Sequence, residues 1–137
     1  MGLLLDAPGT CRVLVVDDDR DAADSLVDIL HASGFSAQAV YDGAEAILAE
    51  EALEPNLVLM DIEMPNVDGY SAATVIRCAR PLRAVKLVAL TGHSSEAQHV
   101  LSRSVGFDDH IAKPIGRARL HLLALDAGPA RPRPRAR

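Results

Sequence analysis

Five aspartates crowd into eight positions, with Asp17, Asp18, Asp19, Asp21 and Asp24 following the apolar run Leu14–Val16 without a break. Like charges held this close repel one another and cost folding free energy unless a cation offsets them. Asp61 ends the apolar run Leu57–Met60, Thr91 ends Val85–Leu90, and Lys113 ends Asp109–Ala112. If those runs are neighbouring strands, Asp17, Asp18 and Asp61 form an oxygen-rich pocket with three formal negative charges. Hard oxygen ligands without imidazole or thiolate select Mg²⁺ or a similar ion, which keeps several waters and favours a partner phosphate. Lys113 offers a compact positive charge for a carboxylate or a phosphate oxygen, and Thr91 offers a hydroxyl donor. With Asp61 as a nucleophile on phosphorus, in-line positioning and neutralisation of the equatorial oxygens are the main needs, and this set of groups supplies both. One Asp-Asp pair alone reads as a solvated loop and helix cap, and one Lys before a proline as a surface residue. Their joint occurrence with Asp61 and Thr91 argues against both.

The elements that must position these residues follow from hydrophobic spacing. Arg12–Val16 is a short continuous valine-rich run, as expected of a strand buried on both faces of a parallel sheet. Ala22, Ala23, Leu26, Val27, Ile29 and Leu30 then recur at helical spacing up to Gly34. Phe35–Tyr41 predicts a weaker strand. Ala44, Ile47 and Leu48 predict a helix reaching about Glu51, and Leu57–Met60 a third strand running into Asp61. Tyr70–Ala79 predicts a helix with Ala72, Val75, Ile76 and Ala79 on one face. Val85–Leu90 predicts a strand, residues 97–105 a helix closed by Gly106, Asp109–Ala112 a fifth strand, and Arg117–Leu125 a short last helix. Five strands alternating with five helices predict an α/β fold, a doubly wound parallel sheet with helices on both faces. In such folds ligands sit outside the carboxyl ends of the strands, where strand order reverses, and that is where the acidic residues, Thr91 and Lys113 fall.

The chain has 137 residues, 49% of them hydrophobic, which suits one globular unit with a proper interior. No run approaches the roughly 18 apolar residues of a membrane-spanning helix. The start, MGLLLDAPGT, lacks the basic region of a signal peptide and has Asp6 where a myristoylation signal needs Ser or Thr. A cytoplasmic protein without membrane partner is the expectation. Cys11 and Cys78 fit no metal or redox spacing and are expected as buried or free thiols. His31, His99 and His121 lie in helical stretches without metal spacing, and Met60 and Met64 read as packing residues. Net charge is −5, of which the final ten residues, GPARPRPRAR, contribute +4, so residues 1–127 carry −9. With aromatics at 3% of the chain and no basic stripe, no nucleic-acid partner is expected. The Arg/Pro alternation of residues 128–137 opposes a helix, and like residues 1–10 that stretch is expected to be a tail outside the folded unit of residues 11–127.

The strings VLVVDDD, LVLMDIEMPNVDGY, ALTGH and DDHIAKPI, in this order and spacing, resemble the receiver domain of two-component response regulators, over about residues 11–125. The resemblance implies a flavodoxin-like fold with a five-stranded sheet. It also implies phosphoryl transfer from a sensor histidine kinase or histidine phosphotransfer protein onto Asp61, with Mg²⁺ as cofactor. By the same resemblance Asp18 binds the ion directly, Asp17 mainly through water and Glu63 through its backbone carbonyl, while Thr91 and Lys113 read the phosphoryl group. Such a chain is a signalling component rather than a classical enzyme, and a homodimer formed on phosphorylation is a further expectation. His110 stands where the family usually carries Tyr or Phe as a rotating switch. It is either an imidazole that turns inward, with a pH dependence Phe would lack, or a half-exposed residue without switching role. Glu63 and His93 occupy positions that in this family modulate the lifetime of the phosphorylated state.

Asp19, Asp21 and Asp24 read as helix-start charges favoured by the helix dipole. A haloacid-dehalogenase-like phosphatase would need a second aspartate two residues after the nucleophile, where Glu63 stands, and a cap domain. A phosphorylation-independent pseudo-receiver acting as a binding module would lack one of the acidic, Thr or Lys residues, and all are present. The chain therefore reads as a stand-alone receiver or the receiver of a hybrid kinase, with an output partner the sequence does not identify.

Overall fold

In the computed structural model the described residues are 11–64, 69–79, 85–92 and 103–128. Five strands, β1 (Arg12–Val16), β2 (Ser36–Val40), β3 (Leu57–Asp61), β4 (Lys86–Thr91) and β5 (Asp109–Ala112), form one parallel sheet in the order β2-β1-β3-β4-β5. The described helices are α1 (Arg20–Ala32), α2 (Gly43–Leu53), α3 (Gly69–Ala79) and α4 (Arg117–Ala127). This is the doubly wound, flavodoxin-like α/β arrangement that the sequence predicts. Most of the helix expected over residues 97–105, together with His93, His99 and residues 1–10 and 129–137 of the expected tails, lies outside the described residues.

Parallel pairing buries both faces of the sheet, which explains why the central strands read as unbroken apolar runs. Leu14, Val16, Val58, Met60, Leu87 and Ala89 point to one side, where Ala46 of α2 and Ala72, Ala73 and Ile76 of α3 cover them. Val13, Val15, Leu57, Leu59, Val88 and Leu90 point to the other, against Ala23 and Leu30 of α1 and Leu120, Leu123 and Ala124 of α4. Each fully buried Leu or Val contributes on the order of 1.5–3 kcal/mol to holding the layers together. Met60 and Met64 both sit in this interior, Cys11 is buried and Cys78 is an exposed free thiol. Among the described residues no helix is long and apolar enough to cross a membrane.

The structure corrects several boundaries and faces. Phe35 and Tyr41 fall outside β2, an edge strand only half-buried along its length, so burial does not extend it over the flanking aromatics. On α2 the buried positions are Gly43, Ala46 and Glu50, whereas Leu48 is 68% exposed; α2 packs on β1 and α3, and that close approach takes the small Ala46 rather than a leucine. On α3, Ala73 is buried while Val75 and Ala79 face outward. The last helix is as long as α2 and α3, so the expected shortening is not seen.

Candidate functional site

β1 connects outward to β2 on one side of the sheet while β3 lies on its other side, so the strand order reverses between β1 and β3. The chain leaving these two strands diverges and opens a crevice at their carboxyl ends. Asp61 is the last residue of β3, and Asp17 follows the last residue of β1. Both side chains are buried, at 2% exposure for Asp17 and 5% for Asp61. From the far edge Lys113, just beyond β5, reaches between them: its Nζ lies 3.1 Å from Asp17 Oδ2 and 3.2 Å from Asp61 Oδ2. The Lys113 N–H donates to the Thr91 carbonyl at 2.7 Å, tying the β5 end to the β4 end. Thr91 is fully buried.

Local geometry fixes each acid. Asp17 Oδ1 accepts from the Asp19 N–H at 2.9 Å, and Asp19 in turn caps α1 by accepting from the Ala22 N–H at 3.2 Å. Asp61 Oδ1 accepts from the Glu63 N–H at 2.9 Å. A Cβ added to Gly69 would stand 2.7 Å from the Asp61 carbonyl oxygen and from Ile62 Cα, so only glycine lets α3 begin directly behind the backbone of Asp61 and Ile62. Of the other aspartates expected as helix-start charges, Asp21 lies in the first turn, but Asp24 accepts from the Tyr41 hydroxyl at 2.7 Å.

One carboxylate oxygen from each of Asp17, Asp18 and Asp61 lies within 4.8 Å of the other two. Trans ligands of a six-coordinate Mg²⁺ are about 4.2 Å apart, so the span suits an ion held partly through water, and the all-oxygen donor set fits a hard cation. Burial pushes the Asp61 carboxyl up to about 6, with the charge of Asp17 adding to it against the opposing pull of the Glu63 N–H and Lys113. Burial alone would lower Lys113, but its hydrogen bond to Asp17 and the charges of Asp61 and Asp17 raise it above the ordinary lysine value.

These shifts set a stability profile. With a folded value near 6 against 3.8 in the unfolded chain, Asp61 contributes stability below pH about 4 that is lost as pH rises through 6. Asp61→Asn in chelator at pH 7.5 is therefore expected to be more stable than wild type by about 1–3 kcal/mol, a gain that shrinks toward pH 4. Urea denaturation at the two pH values checks this, and equal or lower stability of the variant at pH 7.5 contradicts it.

The structure thus brings together Asp17, Asp18, Asp61 and Lys113, and the tie from Lys113 to the β4 end adds Thr91. Glu63 stands exposed at the rim, its Oε1 accepting from the Gly92 N–H at 3.2 Å. The sequence carries no local signal of this contact, which spans a 29-residue separation. His110 is half-buried in β5, paired in register with Ala89, and its backbone N–H donates to Asp109 Oδ1 at 2.8 Å.

Residues 13–124 match the family model described as the response regulator receiver domain. The DNA-binding response regulator MtrA of Mycobacterium tuberculosis is 35% identical over 125 residues, covering 87% of this chain and 54% of MtrA. The chain spans about half the length of the curated relatives it matches. A CheY-like receiver domain protein from Methanospirillum hungatei JF-1 superposes with a TM-score of 0.78 at 29% identity, covering 85% of this chain and 92% of the other. A response regulator from Burkholderia pseudomallei, solved with a phosphorylated aspartic acid, calcium ion and citrate, gives 0.75 at 26% identity, covering 84% of this chain and 66% of the other. With acids at the β1 and β3 ends, a lysine shared between them, and a family match over most of its length, the chain belongs to the response regulator receiver domains of two-component systems.

Proposed function

We propose that Asp61 is the phosphoacceptor of a Mg²⁺-dependent phosphorelay step. The observation that carries this reading is the Lys113 ammonium shared by Asp17 and Asp61 at the strand-order reversal, a cation already standing where a phosphoryl oxygen needs one. In the step, an Asp61 carboxylate oxygen attacks the phosphorus of a phosphohistidine on a sensor kinase or histidine phosphotransfer protein. An O–P bond forms as the N–P bond breaks, and the N–P electron pair stays on the departing imidazole. Asp17, Asp18, Asp61 and the Glu63 backbone carbonyl would hold Mg²⁺, which neutralises charge on the transferring group. Lys113 and the Thr91 hydroxyl hold phosphoryl oxygens and exclude water on their side. His110, Glu63 and His93 tune how long the modification lasts and how it is read.

The Burkholderia relative with its phosphorylated aspartic acid and calcium ion supports the same chemistry on the same fold. The proposed unit is residues 11–127, cytoplasmic, acting by a population shift in the loops around Thr91 and Lys113. MtrA is named as DNA-binding, but the match covers only about half of it. For this receiver, whose residues 1–127 carry −9, we propose protein partners, a phosphorylation-dependent second copy among them, and no nucleic-acid contact. The test is incubation with acetyl phosphate in Mg²⁺ or in chelator, read by intact mass. Gain of one phosphoryl group in Mg²⁺ alone is the expected result. No gain from acetyl phosphate or from a promiscuous phosphorylated kinase would favour a pseudo-receiver.

A further inference from the structure

Two backbone N–H groups at the rim of the pocket are committed to carboxylates. The Glu63 N–H serves Asp61 Oδ1 at 2.9 Å, and the Gly92 N–H serves Glu63 Oε1 at 3.2 Å. Gly92 is the first residue beyond β4 and follows Thr91 directly, while Glu63 is the second residue beyond β3, whose Asp61 pairs in register with Leu90. The Glu63 side chain therefore straps the loop after the acceptor to the loop after Thr91. A Cβ at Gly92 would meet the same Oε1 at 3.4 Å, so the carboxylate lies against the face of Gly92 that has no side chain.

We infer that Glu63 is a positioning residue whose carboxylate occupies the Gly92 N–H in place of a phosphoryl oxygen and must leave when Asp61 is phosphorylated. The inference rests on Asp61 being the phosphoacceptor. A phosphoryl group there brings about two negative charges and three strong acceptor oxygens. Lys113 and Thr91 can satisfy some of them, and the N–H one residue beyond Thr91 is the next donor along the same strand end. A carboxylate hydrogen-bonded to that donor is both a competitor for it and a like charge beside the incoming anion. In the resting state the strap ties Glu63 to Gly92, and phosphorylation expels it and frees the Gly92 N–H for a phosphoryl oxygen. Sequence alone gives only the position of Glu63; the structure adds the donor it blocks.

The test is a titration with beryllofluoride, a phosphoryl analogue, in Mg²⁺ for wild type, Glu63→Gln and Glu63→Ala, followed by amide NMR. Both substitutions keep the backbone carbonyl proposed to face the ion. Losing an exposed like charge and a competing acceptor is expected to tighten analogue binding roughly fivefold in Glu63→Ala, with Glu63→Gln between it and wild type. Without analogue, the Gly92 amide resonance should differ between wild type and Glu63→Ala. In the bound state it should coincide in all three proteins, because the donor then serves the analogue. Unchanged or weaker binding in both variants, or a Gly92 difference that persists in the complex, overturns the strap while wild-type binding leaves the phosphoacceptor reading standing. Absence of saturable Mg²⁺-dependent binding in wild type itself removes both.

Discussion

Lys113→Met is expected to lower the stability of the metal-free protein by about 2–4 kcal/mol at neutral pH. The ammonium lies 3.1 and 3.2 Å from two carboxylates whose side chains are 2% and 5% exposed. Methionine of similar length keeps the packing of the stem but leaves two buried like charges with no shared cation. The lysine is itself 31% exposed, which discounts the upper end of the range. Because its pKa is raised in the folded state, its contribution is complete at neutral pH and fades only in alkali, as pH rises through the folded value. Mg²⁺ should restore much of the loss, and should stabilise the variant more than the wild type, since the ion no longer meets a competing ammonium. Far-UV circular dichroism in urea, with chelator or Mg²⁺, reads both effects, and suits a chain without tryptophan. A variant as stable as wild type in chelator would contradict a stabilising role for the shared ammonium.

The second large effect concerns the ion. Asp17→Asn combined with Asp18→Asn should weaken Mg²⁺ binding by at least about a hundredfold, because two of three carboxylates become neutral amides while the oxygen positions are retained. Asp17 contributes more than a ligand: its Oδ1 organises the turn into α1 by accepting from the Asp19 N–H, and an amide oxygen can keep that bond. The fold is therefore expected to survive, with Lys113 left to Asp61 alone. Calorimetric titration with MgCl₂ measures the change. Retained affinity in the double variant would move the ion away from these acids, and with it the proposed cofactor role.

Much of this was legible before any coordinates because parallel strands bury both faces. Arg12–Val16 and Leu57–Met60 could be read as strands from apolar continuity alone, and the acidic residues mark their carboxyl ends. Periodicity served less well where packing wants small residues. Ala46 and Ala73 touch the sheet while Leu48 and Val75 face outward, so large apolar side chains are a poor guide to the buried side of these two helices, and the face expected for α3 holds only at Ala72 and Ile76. Contacts between distant loops carried no local signature: Tyr41 to Asp24 depends on where β2 lies beside α1, and Glu63 to Gly92 depends on the β3–β4 register. The pocket could be named from residue types because carboxylates and a lysine at strand ends have few alternative uses. The strap across its rim could not.

Trapping the modified residue tests the central claim most directly. After reaction with acetyl phosphate in Mg²⁺, borohydride reduces an aspartyl phosphate to homoserine, which peptide mass spectrometry then locates. The account predicts homoserine at position 61 alone, absent in chelator. Homoserine at Asp17 or Asp18, or incorporation of phosphate with Asp61 intact, would contradict it.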